Sequence, residues 1–527
     1  AAGSAPVRRV KARRGWLGDF IVDHQVDIRG DVVPFRLRAR ADGGVLKLEW
    51  SMPGQERDQR GQPRFEKIAV GPGREAAWRV YAGFGNVIED LQAPFTLGAG
   101  GFTLSTRHVG ADYRSGLSMA LASDYFPDRL RVVPADKLFT LEAHHDLTYF
   151  MAPSSHGAFS AAKEYGKVAG FKASPGLEEL KGRQCLDQWG GDYLAAAEQI
   201  RMAARYGLDH SVFVKHVWQR WGYDYRLPEI YPPAGGLDAF KALADACHDT
   251  GILFSPHDNY IDFYPDAKGF SYDHIIFNAD GTPQKAWYNK GRKAQSYRWL
   301  PHAFQPWMVE NMQLMRDGFA PNSLFIDVFT AITPRDYYDR EGRFYDQKRM
   351  AKEWAEAFDT CRRILKKGSP MLSECGHDGL IGSLDGAQSD HYHARRWGAQ
   401  CLDTDRTPWH DIVTHGKMVL LAGGLGGRYG KGEPGHDYGS DDYLSNTVLG
   451  GRNPMSDGPF SRAAVLTYWL LHDVCDVLAR QSFDRHEFGG TVRQQHTVFG
   501  GGASRVWANR GAEEWTLADG RVLPEYG

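Results

Sequence analysis

The sequence predicts a central (β/α)₈ barrel of the TIM type, flanked by an N-terminal β-sandwich and a small C-terminal β-domain. Two observations lead to this fold class. The chain has 527 residues, too many for one compact core, which indicates two or three domains. The pattern of apolar and polar residues also changes twice along the chain, from one typical of strands to one of alternating strands and helices, and then back to one typical of strands. We expect the domains to cover residues 1–175, 176–480 and 481–527.

The N-terminal region, residues 1–175, shows the two-residue alternation that is typical of half-buried strands. Residues 45–50 (VLKLEW) alternate in this way until the sequence SMPG at 51–54 interrupts them. Short apolar runs recur at 77–81 and 130–133, and no long helical period occurs before residue 158. This pattern favours a β-sandwich.

The middle region, residues 176–480, repeats the order strand, loop, helix. Seven strands are predicted at 184–189, 211–217, 251–257, 323–330, 371–375, 387–391 and 417–422. Helical periods lie between them at 192–206, 237–248, 306–317 and 347–367. Strands that alternate with helices pair in parallel, and this number of units favours a closed barrel over an open sheet. An eighth strand is hidden by the glycine-rich stretch 422–451.

The C-terminal region, residues 481–527, returns to short β-type runs. They lie at 492–498 and 504–507, on either side of three consecutive glycines at 500–502 that favour a turn. Because this segment is short for an independent domain, we expect it to pack on the barrel.

Composition and charge argue against several kinds of partner. The net charge is −2, which gives no electrostatic reason to bind nucleic acid or an acidic membrane. The sequence has no run of 18 apolar residues, no GxGxxG motif after the first barrel strand and no Walker motif. Its six cysteines form no CxxC pair. We therefore predict no nucleic-acid partner, no membrane span, no cofactor and no metal.

The first residues bear on the compartment. The sequence opens with AAGSAP and has no initial Met, as an exported protein does after its signal peptide is removed. We therefore predict a periplasmic or secreted location.

Two acidic residues at strand ends predict the chemistry. Asp327 interrupts the apolar strand at 323–330, and Glu374 follows an apolar stretch in the next strand-like segment, 370–378. Reactive groups of a (β/α)₈ barrel stand at the carboxyl ends of its strands, so both carboxylates should face one cavity. Glycoside hydrolysis needs such a pair, one to attack the anomeric carbon and one to protonate the leaving oxygen. We therefore predict Asp327 and Glu374 as catalytic residues, 5–5.5 Å apart in a retaining enzyme.

Other strand ends carry polar and aromatic side chains that suit a pyranose ring, which presents hydroxyls and an apolar face. The predicted substrate-binding residues are Asp187, Trp189, Lys215, Trp218, His257, Asp258, Tyr260, Trp299, Asp390 and His391. We also expect the aromatic residues among them, together with Trp221, to cluster at the mouth of the barrel. At least one should form a platform for a sugar ring.

Three short motifs resemble known enzymes: GFGNVIED at 83–90, FIDV at 325–328 and SECG at 373–376. They are similar to sequences related to glycoside hydrolase families 101 and 129, which are retaining α-N-acetylgalactosaminidases with a β-sandwich, a barrel and a C-terminal β-domain. The resemblance implies Asp327 as nucleophile and Glu374 as acid/base. It further implies that α-linked GalNAc or galactose-type glycosides, free or on glycoproteins, are the substrates. The exact sugar, the linkage and the choice between exo- and endo-action stay open.

Two alternatives remain. A metal-dependent hydrolase or deacetylase on the same barrel would use the histidine-rich pairs at 257–258, 377–378 and 391–393. Against it, the HxH pair of such barrels is expected on the first strand, and here it falls on the sixth. A non-catalytic sugar-binding protein is the second alternative, and the presence of both Asp327 and Glu374 argues against it.

Overall fold

The N-terminal region consists of antiparallel strands in two sheets. The computed structural model of the protein describes residues 8–11, 19–24, 36–51, 68–72, 75–101, 103–143, 147–389, 405–423 and 441–527. The first strands are β1 (Arg8–Lys11), β2 (Asp19–His24), β3 (Arg36–Asp42), β4 (Val45–Ser51), β5 (Ile68–Pro72), β6 (Ala77–Ala82), β7 (Asn86–Glu89), β8 (Phe95–Gly98), β9 (His108–Tyr113), β10 (Ser118–Ser123), β11 (Arg129–Val133), β12 (Leu138–Ala143) and β13 (Thr148–Ser154). Six of them form one sheet in the order β1-β2-β5-β12-β11-β8.

The middle of the chain alternates strands with helices. The helices are α1 (Ala158–Val168), α2 (Leu177–Leu180), α3 (Tyr193–Arg205), α4 (Leu237–Thr250), α5 (Gln305–Phe319), α6 (Gln347–Leu365), α7 (Asp411–Thr414), α8 (Asp441–Gly450) and α9 (Arg462–Ala479). The strands are β14 (Gln184–Trp189), β15 (Ser211–His216), β16 (Leu253–Asp258), β17 (Asp262–Phe263), β18 (Lys285–Asn289), β19 (Ala294–Arg298), β20 (Leu324–Ile326), β21 (Tyr337–Tyr338), β22 (Phe344–Tyr345), β23 (Met371–Glu374), β24 (Gly386–Gln388), β25 (Asp405–Arg406), β26 (Val419–Gly423) and β27 (Asn453–Asp457).

Eight of these strands close into a parallel barrel in the order β14-β15-β16-β20-β23-β24-β26-β27. The predicted barrel is therefore confirmed, and seven of its strands coincide with the predicted ones. The eighth is β27, which directly follows the glycine-rich stretch. Helices α3 to α6 match the four predicted helical periods, because their apolar residues face the strands at helical spacing.

Alternate side chains of each barrel strand face opposite layers. Val212 and Leu253 belong to the small buried cluster that fills the barrel interior. Their neighbours Phe213 and Phe254 belong to the large cluster between the strands and the outer helices. Only side chains at the inward-facing positions of the strands can reach the cavity at the end of the barrel.

The second N-terminal sheet includes a strand from the barrel region. Its order is β25-β7-β6-β9-β10-β13-β4-β3, and β25 follows the sixth barrel strand in sequence. Leu97 and Leu141 of the first sheet share one buried cluster with Val80 and Leu121 of the second. In sequence β25 belongs to the barrel region, but it pairs with a strand of this N-terminal sheet. The domain boundaries predicted at residues 175 and 480 stay predictions.

The C-terminal strands are β28 (Phe483–Phe488), β29 (Gln494–Phe499), β30 (Ser504–Asn509), β31 (Trp515–Thr516) and β32 (Val522–Leu523). The first three form an antiparallel sheet and the last two form a pair. The three-stranded sheet lies against α7 and α8. It also contacts the N-terminal region, where Phe483 and Phe499 share a cluster with Tyr81 and Phe159.

Within the described part of the chain, no helix is both long enough and apolar enough to span a membrane.

Candidate active site

The carboxyl ends of five barrel strands bring one inward-facing polar side chain each to the same end of the barrel. By the alternation of the strands, these are Asp187, His216, His257, Asp327 and Glu374. All five side chains point to the same side of their strands as Val212 and Leu253, which lie deeper in the barrel interior. The cavity of this barrel is therefore lined with carboxylates and imidazoles.

The two predicted catalytic carboxylates stand on neighbouring strands at the same level. The last paired residues of β20 and β23 are Ile326 and Ser373, and Asp327 and Glu374 are the next residue on each strand. Since adjacent strands are about 4.8 Å apart, the two side chains leave the backbone from neighbouring positions at this end of the barrel. Asp327 Oδ2 accepts a hydrogen bond of 3.2 Å from the Tyr223 hydroxyl and lies 4.0 Å from His257 Nε2.

The backbone is strained directly after three of these side chains. Val217, Val328 and Cys375, which follow the site residues on β15, β20 and β23, have φ values of 55°, 67° and 64°. A β-branched residue in the left-handed region costs about 1–3 kcal/mol, and such strain concentrates at functional sites. The surrounding structure thus holds these strand ends in conformations that they would not adopt alone.

The N-terminal motif at 83–90 reaches the loops that follow both carboxylates. Phe84 is buried and shares a small cluster with Ala331 and Cys375, and Val328 packs against it. Val328 follows Asp327 and Cys375 follows Glu374, so one side chain from the N-terminal region supports both loops. The three motifs found in the sequence therefore meet at this one contact.

A buried ion pair ties the Glu374 loop to the N-terminal region. The Arg107 guanidinium lies 3.1 Å from Asp378 Oδ1, and the Arg107 backbone N–H donates to Asp378 Oδ2 at 2.9 Å. Burial disfavours the Asp378 carboxylate, but Arg107 outweighs it and holds the pKa of Asp378 well below its ordinary value. The pair therefore stabilises the junction of the two regions only while Asp378 is ionised.

Arg107→Ala should destabilise the protein by about 3–5 kcal/mol, since it leaves a buried carboxylate unpaired. Because Asp378 has a depressed pKa in the folded state, its stabilisation is present above the unfolded pKa of about 4 and is lost as the pH falls below it. Urea unfolding at pH 7 and at pH 3.5 measures both effects, and the variant should lose less stability on acidification than the wild type.

The control is Arg114→Ala, which removes an exposed pair with Asp90 and should change stability by less than about 0.5 kcal/mol. Equal losses in the two variants would contradict a structural role for the buried pair.

Two histidines and two carboxylates form a continuous row across the barrel end. Asp187 Oδ1 lies 2.7 Å from His216 Nε2, His216 Nδ1 lies 2.9 Å from His257 Nδ1, and His257 Nε2 lies 2.9 Å from Asp224 Oδ1. Burial disfavours the charged form of His257, but the carboxylates of Asp224 and Asp327 outweigh it and raise the pKa of His257 to about 9. His257 is therefore cationic at neutral pH.

Three aromatic rings line one side of the cavity. Trp189 stacks on His216 with ring centroids 4.3 Å apart, and Tyr223 lies 4.8 Å from Trp189 and 5.9 Å from Trp287. The exposed fractions of Trp189 and Trp287 are 41% and 43%, unusually high for tryptophan. The Trp189 indole N–H also donates to Asp187 Oδ2 at 2.9 Å. These rings offer open apolar surface beside Asp327.

Lys215 and Asp258 do not line the cavity, because both side chains face the outer helices. Lys215 Nζ donates to Gln188 Oε1 at 3.0 Å and lies 5.5 Å from the ring of Tyr193 on α3, and burial lowers its pKa to about 8. Asp258 accepts from the Tyr260 hydroxyl, and burial raises its pKa to about 7. Each occupies the strand position that alternates with an inward-facing histidine.

Trp218, Tyr260 and Trp299 do not line the cavity either. All three are buried in packing around the barrel, where their rings stack on Phe240, Phe304 and Phe263 at 5.0, 5.3 and 3.6 Å respectively. Trp221 is partly exposed, but the guanidinium groups of Arg220 and Arg226 lie over its ring.

The predicted residues Asp187, Trp189 and His257 lie in the cavity, whereas Asp390 and His391 fall outside the described residues. Sequence reasoning missed Tyr223, Asp224 and Trp287. All three belong to the long loops that leave the carboxyl ends of β15 and β16. The length of these loops and their aromatic and acidic content were the available signal.

The donor atoms of Asp224, His257 and Asp327 lie within 4.8 Å of one another, which makes this the candidate metal-ligating group among the described residues. The 2.9 Å contact between His257 Nε2 and Asp224 Oδ1 has the geometry of a hydrogen bond. An N–H at Nε2 would leave that nitrogen without the lone pair that a metal requires. The arrangement therefore fits a protonated histidine better than a metal ligand.

Comparisons with known proteins agree with this architecture. A family model described as a domain of unknown function, DUF6259, matches residues 183–423, which contain the first seven barrel strands. No curated protein matches the chain in sequence.

Among solved structures, the α-N-acetylgalactosaminidase NagBb from Bifidobacterium bifidum in complex with GalNAc superimposes with a TM-score of 0.72. It is 18% identical, and the match covers 97% of this chain and 92% of NagBb. This chain has the NagBb fold. The predicted resemblance to α-N-acetylgalactosaminidases is thus confirmed at the level of the fold.

A second similar structure is the α-galactosidase TtGalA from Thermus thermophilus in complex with p-nitrophenyl α-D-galactopyranoside. Its TM-score is 0.60 at 12% identity, with 95% of this chain and 99% of that chain covered. Both structures contain the whole architecture and not the barrel alone.

Proposed function

We propose that the protein is a retaining glycoside hydrolase that cleaves α-linked GalNAc or galactose-type glycosides. The observation that carries this proposal is the position of Asp327 and Glu374 on adjacent strands of one barrel. Each directly follows a residue of the last β20–β23 pair, Ile326 and Ser373. The fold shared with NagBb and TtGalA supports the substrate class.

The proposed reaction has two steps. In the first, the Asp327 carboxylate forms a bond to the anomeric carbon while the glycosidic C–O bond breaks, and Glu374 gives its proton to the departing oxygen. In the second, Glu374 takes a proton from water, the water oxygen bonds to the anomeric carbon, and Asp327 is released as a carboxylate. The cation at His257, 4.0 Å from Asp327 Oδ2, favours the ionised form that the first step needs.

The walls of the cavity suit a monosaccharide. Trp189 and Trp287 offer open ring surface to the C–H groups of a pyranose, and the carboxylates of Asp187 and Asp224 can accept hydroxyl protons. Glycans on glycoproteins are one source of such sugars. A periplasmic or secreted location would bring the enzyme to them and is part of this proposal.

A panel of p-nitrophenyl α- and β-glycosides, including α-GalNAc and α-galactose, tests the proposal directly. We expect turnover of one or both α-glycosides, and NMR of the first product should show the α-anomer, because two displacements retain the configuration. Release of the β-anomer would contradict the retaining mechanism, and no turnover across the panel would contradict the substrate class.

Trp287→Ala should raise KM about tenfold and leave the unfolding temperature unchanged, because it removes a stacking surface without opening a core cavity. The matched control is Trp469→Ala on α9, which removes the most exposed tryptophan among the described residues, one outside the cavity, and should alter neither value. A KM equal to that of the wild type in the Trp287 variant would exclude it as a sugar platform.

The metal-dependent hydrolase stays a second candidate because Asp224, His257 and Asp327 cluster closely. It predicts stoichiometric metal in the purified protein and loss of activity on chelation. The glycosidase mechanism above routes no step through a metal at this group.

A further inference from the structure

The row that joins Asp187, His216, His257 and Asp224 is almost completely closed to solvent, and no residue in it is more than 2% exposed. It spans three neighbouring barrel strands and the loop after β15. Its three contacts are 2.7, 2.9 and 2.9 Å long, all within hydrogen-bond distance. Each contact must therefore contain a proton, which makes the number of protons in the row countable.

The carboxylate at each end of the row is held by donors. Asp187 accepts from the Gln388 amide at 2.8 Å and from the Trp189 indole N–H at 2.9 Å. Asp224 accepts from the Gln219 amide at 3.1 Å and from the Asn259 amide at 2.9 Å. Amide and indole N–H groups stabilise ionised carboxylates, so both ends of the row are acceptors.

If both ends accept, the Nε2 atoms of His216 and His257 must both donate. The contact between the two Nδ1 atoms needs one further proton, because two lone pairs repel and two N–H groups clash at 2.9 Å. Two imidazoles with three protons carry one net positive charge. This count follows from the contacts, since a ring nitrogen either bears a proton or presents a lone pair.

We propose that His216 and His257 form a cationic pair that shares one proton and positions Asp327 as an ionised nucleophile. The pair is a positioning element, because the charge acts on the sugar through Asp327, 4.0 Å from His257 Nε2. Asp327 is thus held by the Tyr223 hydroxyl on one side and faces a fixed positive charge on the other. The role assigned to Asp327 rests on the proposed function, whereas the shared proton does not.

The charge of the pair depends on pH. Among the described residues, the charged groups beside the pair are Asp187 on β14, Asp224 in the β15–α4 loop and Asp327 after β20, while Lys215 on β15 and Asp258 on β16 lie on the other side of the strands, toward the outer helices. Burial disfavours the charge of the pair, but the neighbouring carboxylates outweigh it and retain the proton, in line with the pKa of about 9 for His257. Above that pH the pair becomes neutral, and Asp327 then faces two carboxylates without a compensating cation.

The shared proton is testable without any activity. The full-length protein labelled with ¹⁵N-histidine should show, at pH 7, three protonated nitrogens on the two rings, and one proton should be lost near pH 9. His216→Gln and His257→Gln assign the signals. Two neutral rings at pH 7 would overturn the proposal, and this outcome would leave the proposed glycosidase function intact.

The effect on Asp327 is tested with the glycosidase substrate, a 2,4-dinitrophenyl glycoside whose aglycone leaves without a proton. His257→Gln should lower kcat about 10²-fold, change KM by less than about threefold and remove the fall of kcat above pH 9. His302→Gln, a partly buried histidine beside Tyr337, is the matched control and should keep the wild-type profile.

A folded His257→Gln enzyme with wild-type kcat and alkaline limb would overturn the positioning role. If that variant does not fold, His216→Gln gives the same measurement, since either ring is needed to share the proton. If neither variant folds, the ¹⁵N titration of the wild type still decides whether the charged pair exists. A wild type with no glycosidase activity would instead count against the proposed function.

Discussion

Asp327→Asn should lower kcat for every glycoside that the enzyme cleaves by at least about 10³-fold. The amide oxygen is a poor nucleophile, and the amide carries no charge to stabilise the oxocarbenium-like transition state. KM should change little because the side-chain shape is retained. Steady-state kinetics on p-nitrophenyl glycosides, with protein purified from a host free of the activity, measure the loss.

Two further measurements make this result specific to nucleophilic catalysis. Azide should restore turnover to Asp327→Ala and give a glycosyl azide of inverted configuration, because a small anion fits where the carboxylate stood. Asp339→Asn is the control, since Asp339 is a buried carboxylate whose contacts are with Arg343 and Tyr345 in the β21–β22 hairpin. Wild-type activity in Asp327→Asn, or an equal loss in Asp339→Asn, would end the assignment.

Glu374→Gln should have an effect that depends on the leaving group. For alkyl or serine-linked glycosides, whose oxygen needs a proton to depart, kcat/KM should fall about 10²–10⁴-fold. For 2,4-dinitrophenyl glycosides the first step should stay within about tenfold of the wild type, because the phenolate leaves unaided. The second step still lacks its base, so a burst of nitrophenol should precede slow turnover.

The comparison that decides this prediction is the slope of log kcat/KM against leaving-group pKa, which should be much steeper in Glu374→Gln than in the wild type. Glu356→Gln, on the exposed face of α6, provides the control. A uniform loss for all leaving groups would show that Glu374 supports the structure and does not donate a proton.

The barrel and its two central acids could be predicted because the signals are local. Strand and helix periods extend over a few residues each. Asp327 and Glu374 stand out because burying a carboxylate at the end of an apolar strand costs free energy unless a partner or a ligand solvates it. The closed barrel confirms the predicted fold of this region, and the catalytic role of the two acids stays a prediction.

The binding residues were predicted less well, because strands buried on both faces carry apolar residues at every position. Without alternation in the sequence, nothing showed that His257 faces the cavity while Asp258 faces the helices. The same ambiguity affected Lys215 and the three tryptophan and tyrosine residues that proved to be packing residues. Their aromatic character is equally suited to a core and to a sugar platform.

The sequence by itself thus determined the order of the elements and the two strand ends that carry the carboxylates, because both depend on neighbours along the chain. Only the tertiary structure decided which side chains meet around them. Asp224 reaches His257 from a loop, Phe84 reaches Cys375 from the N-terminal sheet, and Arg107 reaches Asp378 across 271 residues. Such contacts join segments far apart in sequence, and only the folding of the chain into closed layers brings them within hydrogen-bond or van der Waals distance.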